Sequence, residues 1–176
     1  MPVYIALLRA VNVGGTGKLP MTELKSMCEH AGFTDVRTYI ASGNVVFNSS
    51  KTGTEVKTAL EKAMLAYAGK PVAVLVRSAQ EMADVLTNNP FPDAAPNRVV
   101  AIFLDHTPAP DTFDNLTGRR NEEIALGKRE IYVHYCDGMG DSTLKIPDAA
   151  SGTARNMNTV AKLAAMASPD GGKIVG

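Results

Sequence analysis

The glycine-rich segment after the first apolar run is the part of the sequence that best suits ligand binding. Asn12 is followed by Gly14, Gly15 and Gly17, and Lys18 closes the segment. Glycines let backbone N–H groups approach an anion, and a lysine adds positive charge. A Walker phosphate loop would need glycine at position 12 and serine or threonine at position 19, where asparagine and leucine stand. The segment therefore predicts a weaker anion site and no nucleotide hydrolysis of that type.

A second combination of reactive residue types lies near position 135. His134 and Cys136 alternate on a predicted strand and share a face, so a thiolate and an imidazole could meet there. A carboxylate partner is not evident from the sequence, and a buried structural cysteine is the commoner outcome. Glu122 and Glu123 are interpreted as a solvated strand edge. The three histidines are scattered, so we predict neither a metal site nor a cofactor.

The first half of the chain has the element order β-α-β-β-α-β, which is typical of the ferredoxin-like motif. Apolar runs indicate the strands, and helical spacing of apolar residues indicates the helices. Thr52 with Glu55 and Ser78 with Glu81 have the spacing of a capping box. The predicted elements are a strand at Val3–Arg9, a helix from Pro20 to Gly32, strands at Val36–Ala41 and Val45–Asn48, a helix from Thr52 to Gly69, and a strand at Val72–Val76.

The second half repeats this order in part, as β-α-β-β-α. Its predicted elements are a strand at Val99–Leu104, a short helix after Pro110, strands at Glu123–Leu126 and Glu130–Tyr135 joined by a turn at Gly127 and Lys128, and a helix from Thr159 to Ala167. We therefore predict an α+β fold of two ferredoxin-like halves with antiparallel sheets. The predicted domains are residues 1–77 and residues 78–176, the second of which begins with a linking helix at 78–88.

Antiparallel order places the loop after the first strand and the hairpin between the second and third strands at one end of the sheet. Cations, amides and flexible backbone would meet there, which suits a phosphate or carboxylate. If the two halves pack together, a second cluster at Arg155 and Asn156 could share one pocket with the residues at this end of the first half. Capping of the last helix explains Asn156 equally well. The candidate contacts are Arg9, Asn12, Gly14, Gly15, Lys18, Ser42, Asn44, Arg155 and Asn156.

The composition narrows the classes of partner. Eighteen basic residues balance eighteen acidic ones, which removes the general attraction that proteins use to bind duplex nucleic acid. The predicted sheet lacks the aromatic surface on which RNA bases stack, so nucleic acid is not an expected partner. There is no apolar stretch of about 20 residues to span a bilayer. Two unpaired cysteines suit a reducing compartment, so we expect a cytoplasmic protein.

A combination of motifs runs almost the length of the chain: Tyr4–Gly15, Lys18–Met21, Gly32–Ile40, Ser42–Phe47, Asn89–Pro92, Thr153–Asn156 and Asn158–Val160. Together these motifs resemble the bacterial family known as domain of unknown function 1697. The resemblance implies two ferredoxin-like halves and implies no reaction. Ala10 stands where that family often has glycine, and Met157 stands where tryptophan is common.

The leading functional hypothesis is a small-molecule or anion-binding module with its site at the polar end of the first half. An enzyme of unassigned type could use the same site, although no nucleophile or general base is evident. A protein-interaction module that pairs through a sheet edge, for example as a homodimer, is the third hypothesis.

Overall fold

Two four-stranded antiparallel sheets carry the fold, one in each of two units. The computed structural model describes residues 1–10, 18–40, 43–140 and 142–168. The first unit contains Met1–Ala83 together with the end of the last helix from Lys162, and the second contains Asp84–Ala161. The predicted fold class is confirmed, whereas the division at residues 77 and 78 stays a prediction.

The first unit has the ferredoxin-like order. Its sheet runs β2-β3-β1-β4, with every neighbouring pair antiparallel. The elements are β1 (Val3–Leu8), α1 (Met21–His30), β2 (Thr34–Tyr39), β3 (Asn44–Asn48), α2 (Gly53–Ala68), β4 (Val74–Ser78) and α3 (Ala79–Thr87), the last of which continues into the second unit.

Side-chain caps fix where two of these helices begin. The Thr52 hydroxyl accepts from the backbone N–H of Glu55, whose carboxylate accepts from the N–H of Thr52, so α2 starts with a complete capping box. Ser78 and Glu81 form the same pair at the start of α3. Both capping boxes are predicted by the sequence, and both are confirmed.

The core of the first unit lies between one face of its sheet and helices α1 and α2. The sheet contributes alternate residues such as Ala6, Leu8, Val45 and Phe47, and the helices contribute the apolar stripes that the sequence predicts. Residues on the opposite sheet face, among them Ile5, are buried too. A nearly continuous apolar run in β1 is the sequence signature of such a strand.

The second unit repeats the strand order of the first. Its sheet runs β6-β7-β5-β8, all antiparallel. One face packs Val100, Ile102, Ile131 and Val133 against neighbouring apolar residues. The elements are β5 (Val99–Phe103), β6 (Glu123–Leu126), β7 (Glu130–His134), β8 (Thr153–Asn156) and α4 (Met157–Ala167), whose end from Lys162 belongs to the first unit.

Two predictions for the second unit are corrected. The helix after Pro110 is a single 3-10 turn, Thr112–Asn115, because that segment is too short and lacks an apolar stripe. The strand β8 was not predicted, because the Thr153–Asn156 segment is polar and its strand conformation comes from pairing with β5.

Among the described residues, no helix is long and apolar enough to cross a membrane.

The buried thiol of Cys28 on α1 is expected to make the free energy of unfolding depend on pH. Burial, with a smaller contribution from Glu29, raises the pKa of this thiol from 9.0 to about 12. The unfolded chain therefore releases the proton above pH 9.0 while the folded chain retains it up to about 12. The free energy of unfolding must fall as the pH rises through that window, with a slope that approaches about 1.4 kcal/mol per pH unit.

Urea unfolding of the wild type and of Cys28→Ala measures this effect, because groups that titrate in both proteins cancel in the difference. We expect the stability advantage of the wild type over the variant to shrink by about 1 kcal/mol between about pH 9 and pH 10. An advantage that stays constant across this range would contradict the assignment of a raised pKa to Cys28.

Candidate functional site

The carboxyl end of β1 lies between two loops of the first unit. The backbone N–H of Leu8 donates to the carbonyl of Gly43 at 2.9 Å, and the N–H of Arg9 donates to the carbonyl of Ala73 at 3.0 Å. Gly43 belongs to the turn between β2 and β3, and Ala73 belongs to the segment between α2 and β4. One end of the sheet therefore brings these three segments together, as antiparallel order requires.

Three exposed cations belong to these segments or to the start of α1. Arg9 follows β1, Lys70 lies in the segment that leads to Ala73, and Lys18 precedes α1; all three side chains are exposed. Lys18 is tied to the end of α2, since the Tyr67 hydroxyl donates to its carbonyl at 3.5 Å. The first unit thus carries exposed positive charge on the segments that follow β1, precede β4 and precede α1. We refer to Arg9, Lys18 and Lys70 as the cationic end.

The side chain of Asn44, one of the predicted ligand contacts, forms a hydrogen bond within the protein. It is fully buried at the first position of β3, and its side-chain amide donates to the carbonyl of Tyr39 at 2.9 Å. This bond links β2 to β3 next to their turn. Four further candidate contacts, Asn12, Gly14, Gly15 and Ser42, lie outside the described residues.

Arg155 and Asn156 belong to the second unit, on β8. The Arg155 guanidinium donates to the Thr153 hydroxyl at 2.7 Å and to the Ala154 carbonyl at 2.9 Å. The side chain is buried, and loss of hydration lowers its pKa to about 10. The side-chain oxygen of Asn156 accepts from the N–H of Thr159 at 3.0 Å, which is the helix-capping contact that explains this residue locally.

The structure contains a second buried arginine that we did not predict from the sequence. Arg77 on β4 is only 1% exposed and donates to the carbonyl of Val76. It pairs with Ile5, the third residue of β1, whereas Arg155 pairs with Ala101, the third residue of β5. Each unit therefore buries one arginine at the same register position of its fourth strand. An arginine that interrupts an apolar strand, as in the Val72–Ser78 segment, is the signal that could have revealed it.

The side chains of Glu123, His134 and Cys136 converge in the second unit, where we had expected no carboxylate partner. The Nδ1 atom of His134 lies 3.0 Å from Oε1 of Glu123 and 3.5 Å from Sγ of Cys136. The expectation that no carboxylate accompanies the histidine and cysteine is therefore wrong. Partial burial, and then the negative charge of Glu123, raise the pKa of the Cys136 thiol.

The neighbouring Glu122 is not the solvated edge residue that we expected. It is buried, and its two carboxylate oxygens accept from the N–H of Arg120 at 2.7 Å and from the Ser142 hydroxyl at 2.8 Å. These hydrogen bonds, that of Arg120 above all, lower the pKa of the Glu122 carboxyl. Glu122 therefore stays ionised as a structural anchor for the chain that enters β6.

A groove of about 720 Å³ runs between α1 and α2 of the first unit. Its apolar wall includes Met27, Ala59 and Ala63, and Tyr67 stands at its side. Because the Tyr67 hydroxyl also contacts the carbonyl of Lys18, the groove adjoins the cationic end. The sequence did not predict this feature.

The fold defines a class: an α+β protein of two ferredoxin-like units, each with a four-stranded antiparallel sheet. The chain belongs to the family described as protein of unknown function DUF1697, whose model matches residues 1–132. This confirms the family resemblance seen in the sequence. A search of curated proteins found no match.

The fold is also similar to that of a conserved bacterial protein from Streptococcus pneumoniae, with a TM-score of 0.77. The two sequences are 24% identical, and the similarity covers 95% of this chain and 99% of the other. This likeness concerns the fold.

Proposed function

We propose that this protein is a small-molecule or anion-binding module whose site is the polar end of the first unit. The observation that carries the proposal is the cationic end itself: three exposed positive side chains on separate segments around the end of β1. Lysine and arginine placed on separate segments can surround one phosphate or carboxylate, and charge-assisted hydrogen bonds to such an anion are strong.

The start of α1 adds a second source of positive potential. Lys18 lies close to this start, and Pro20, which precedes the helix, has no side-chain oxygen to cap it. The first N–H groups of a helix and its macrodipole favour an anion at this position. An anion beside Lys18 would therefore gain from both the side chain and the helix, against the negative charge of Glu23 in the first turn.

The adjoining groove supports a ligand larger than a simple ion. Its apolar wall between α1 and α2 begins at Tyr67, next to Lys18. Ligand sites commonly combine an apolar cleft with a few polar groups that fix orientation. A molecule with an anionic group and an apolar body fits this combination, the anion at the cationic end and the body in the groove. Within the first unit, the proposed polar contacts are Arg9, Asn12, Gly14, Gly15, Lys18, Ser42 and Asn44, while Arg155 and Asn156 remain candidates in the second.

Ligand-induced thermal stabilisation tests this proposal. The purified chain is screened with inorganic phosphate, sugar phosphates, nucleotides and aliphatic or aryl carboxylic acids, since a ligand at about 100 times its Kd stabilises the native state by about 2.7 kcal/mol. Arg9→Ala and Lys18→Ala should each weaken binding about tenfold or more, because each removes a charge-assisted hydrogen bond. Stabilisation should also decline with added salt.

Lys25→Ala is the matched control, because Lys25 is an exposed lysine of α1 outside the cationic end. It should bind as the wild type does. The proposal is wrong if no compound stabilises the protein, or if Lys25→Ala reduces binding as much as Arg9→Ala and Lys18→Ala do.

A further inference from the structure

The hairpin of β6 and β7 places three different donor side chains together at the edge of the second sheet. Glu123 on β6 is the direct cross-strand partner of His134 on β7, and Cys136 follows two residues later. The Nδ1–Oε1, Nδ1–Sγ and Sγ–Oε1 distances are 3.0, 3.5 and 3.8 Å. The three donor atoms therefore form a small triangle.

We propose that Glu123, His134 and Cys136 form a binding site for a divalent transition-metal ion of the zinc type, with the fourth coordination position open. Tetrahedral zinc with ordinary Zn–S, Zn–N and Zn–O bonds separates its donor atoms by about 3.3–3.6 Å. The Nδ1–Oε1 distance is shorter than this range, the Sγ–Oε1 distance is longer, and the Nδ1–Sγ distance lies within it. Shifts of a few tenths of an ångström therefore bring all three atoms to bonding distance from one ion. The function proposed for the first unit is independent of this site.

The convergence of the donors distinguishes a metal site from a catalytic triad. In a cysteine–histidine–carboxylate triad, the carboxylate holds one ring nitrogen and the thiol contacts the other. Here the same nitrogen, Nδ1 of His134, faces both the Glu123 carboxylate and the Cys136 sulfur. The imidazole cannot relay a proton between these two groups, but a single cation at the centre can bind all three donors.

The charges and donor types favour a zinc-type ion. A thiolate, a carboxylate and a neutral imidazole carry two negative charges, which balance a divalent cation. Binding transfers the thiol proton of Cys136, which is within hydrogen-bonding distance of Oε1 of Glu123 and of the Asn121 carbonyl, to solvent as the S–metal bond forms. Sulfur and imidazole donors select zinc-type metals over calcium or magnesium.

Neighbouring groups hold two of the ligands in place. The Phe91 ring packs against the imidazole of His134 with ring centroids 5.7 Å apart. The Arg98 guanidinium donates to the Cys136 carbonyl at 2.6 Å, which fixes the backbone that carries the thiol. Such outer contacts orient metal ligands and raise affinity. Three protein ligands with one open position are typical of sites that exchange a water or a substrate.

Equilibrium dialysis of the reduced, tag-free full chain against Zn²⁺ and Co²⁺ tests the site. We expect one ion per chain, and Co²⁺ should show a sulfur-to-metal charge-transfer band. Each of Cys136→Ser, His134→Gln and Glu123→Gln should weaken binding about tenfold or more, and Cys136→Ser should abolish the charge-transfer band. Circular dichroism shows that each variant is folded.

Two control variants complete the design. His30→Gln removes an exposed histidine of α1, and Cys28→Ala removes the buried thiol; both should bind metal as the wild type does. The proposal is overturned if the chain takes up no stoichiometric ion, if Co²⁺ binds without the charge-transfer band, or if none of the three ligand variants binds more weakly than the controls. Three independent ligand variants keep this test decisive even if one of them fails to fold.

Discussion

Replacing Phe47 by alanine is expected to lower the free energy of unfolding by about 3–5 kcal/mol. Phe47 is fully buried on β3. Its ring stacks on that of Phe33 with centroids 4.3 Å apart and an interplanar angle of 6°, and it also contacts Tyr4. Truncation removes a large apolar surface from the core and leaves a cavity that the strands β1 and β3, hydrogen-bonded on both sides, cannot close.

Phe113→Ala is the matched control for this prediction, because the same truncation occurs at a side chain that is 44% exposed. Its effect should stay within about 0.5 kcal/mol. Urea unfolding followed by far-ultraviolet circular dichroism compares the two variants with the wild type. If Phe47→Ala lost no more stability than Phe113→Ala, the packing described for the first core would be wrong.

The first unit could be predicted from the sequence because its local signals agree with its packing. Two capping boxes, at Thr52 and Ser78, mark where helices begin, and an apolar run marks β1 as a central strand. Each of these signals depends on a few neighbouring residues, so no tertiary information is needed. The errors are confined to strand ends, as for β4, which begins at Val74 and not at Val72.

The second unit was harder to predict because two of its elements depend on partners distant in sequence. The strand β8 contains Thr153, Arg155 and Asn156, whose composition suits a loop as well as a strand. Only its pairing with β5, about fifty residues earlier, makes it a strand. The 3-10 turns that connect the strands of this unit are short as well, so helical periodicity cannot be recognised in them.

The candidate sites also contain some features that depend on local sequence and others that depend on residues distant in the chain. The family resemblance drew attention to Ala10 as a departure from glycine, and Ala10 has φ of +57°, in the region that favours glycine. The loop that the sequence predicts after β1 therefore begins with a residue in the left-handed region. Nothing local indicated that Glu123 lies beside His134, because that contact depends on hairpin register. Counting outward from the predicted turn at Gly127 and Lys128 would have paired Glu123 with Tyr132, because the observed register is centred one residue later, on Lys128 and Arg129.

Replacing Gly118 by alanine is expected to destabilise the second unit by about 3 kcal/mol. Two effects add at this position. The residue has φ of +70°, where an alanine is strained, and a Cβ atom would lie 1.9 Å from the backbone carbonyl oxygen of Thr143. That carbonyl cannot move freely, because its residue donates from Oγ1 to the Gly118 carbonyl at 2.7 Å and the adjacent Thr117 forms a bridge with Lys145.

Gly138→Ala separates the two effects. Gly138 has φ of +87°, but no described atom lies within 4 Å of its Cβ position, so only the backbone strain of about 1–2 kcal/mol applies. The difference between the variants in urea unfolding therefore measures the clash with Thr143. Equal losses would show that the two segments separate at little cost. The segment after Gly118 leads into Glu122 and Glu123, so a larger loss for Gly118→Ala should be accompanied by weaker Zn²⁺ binding, because a displaced β6 entry moves Glu123 away from His134.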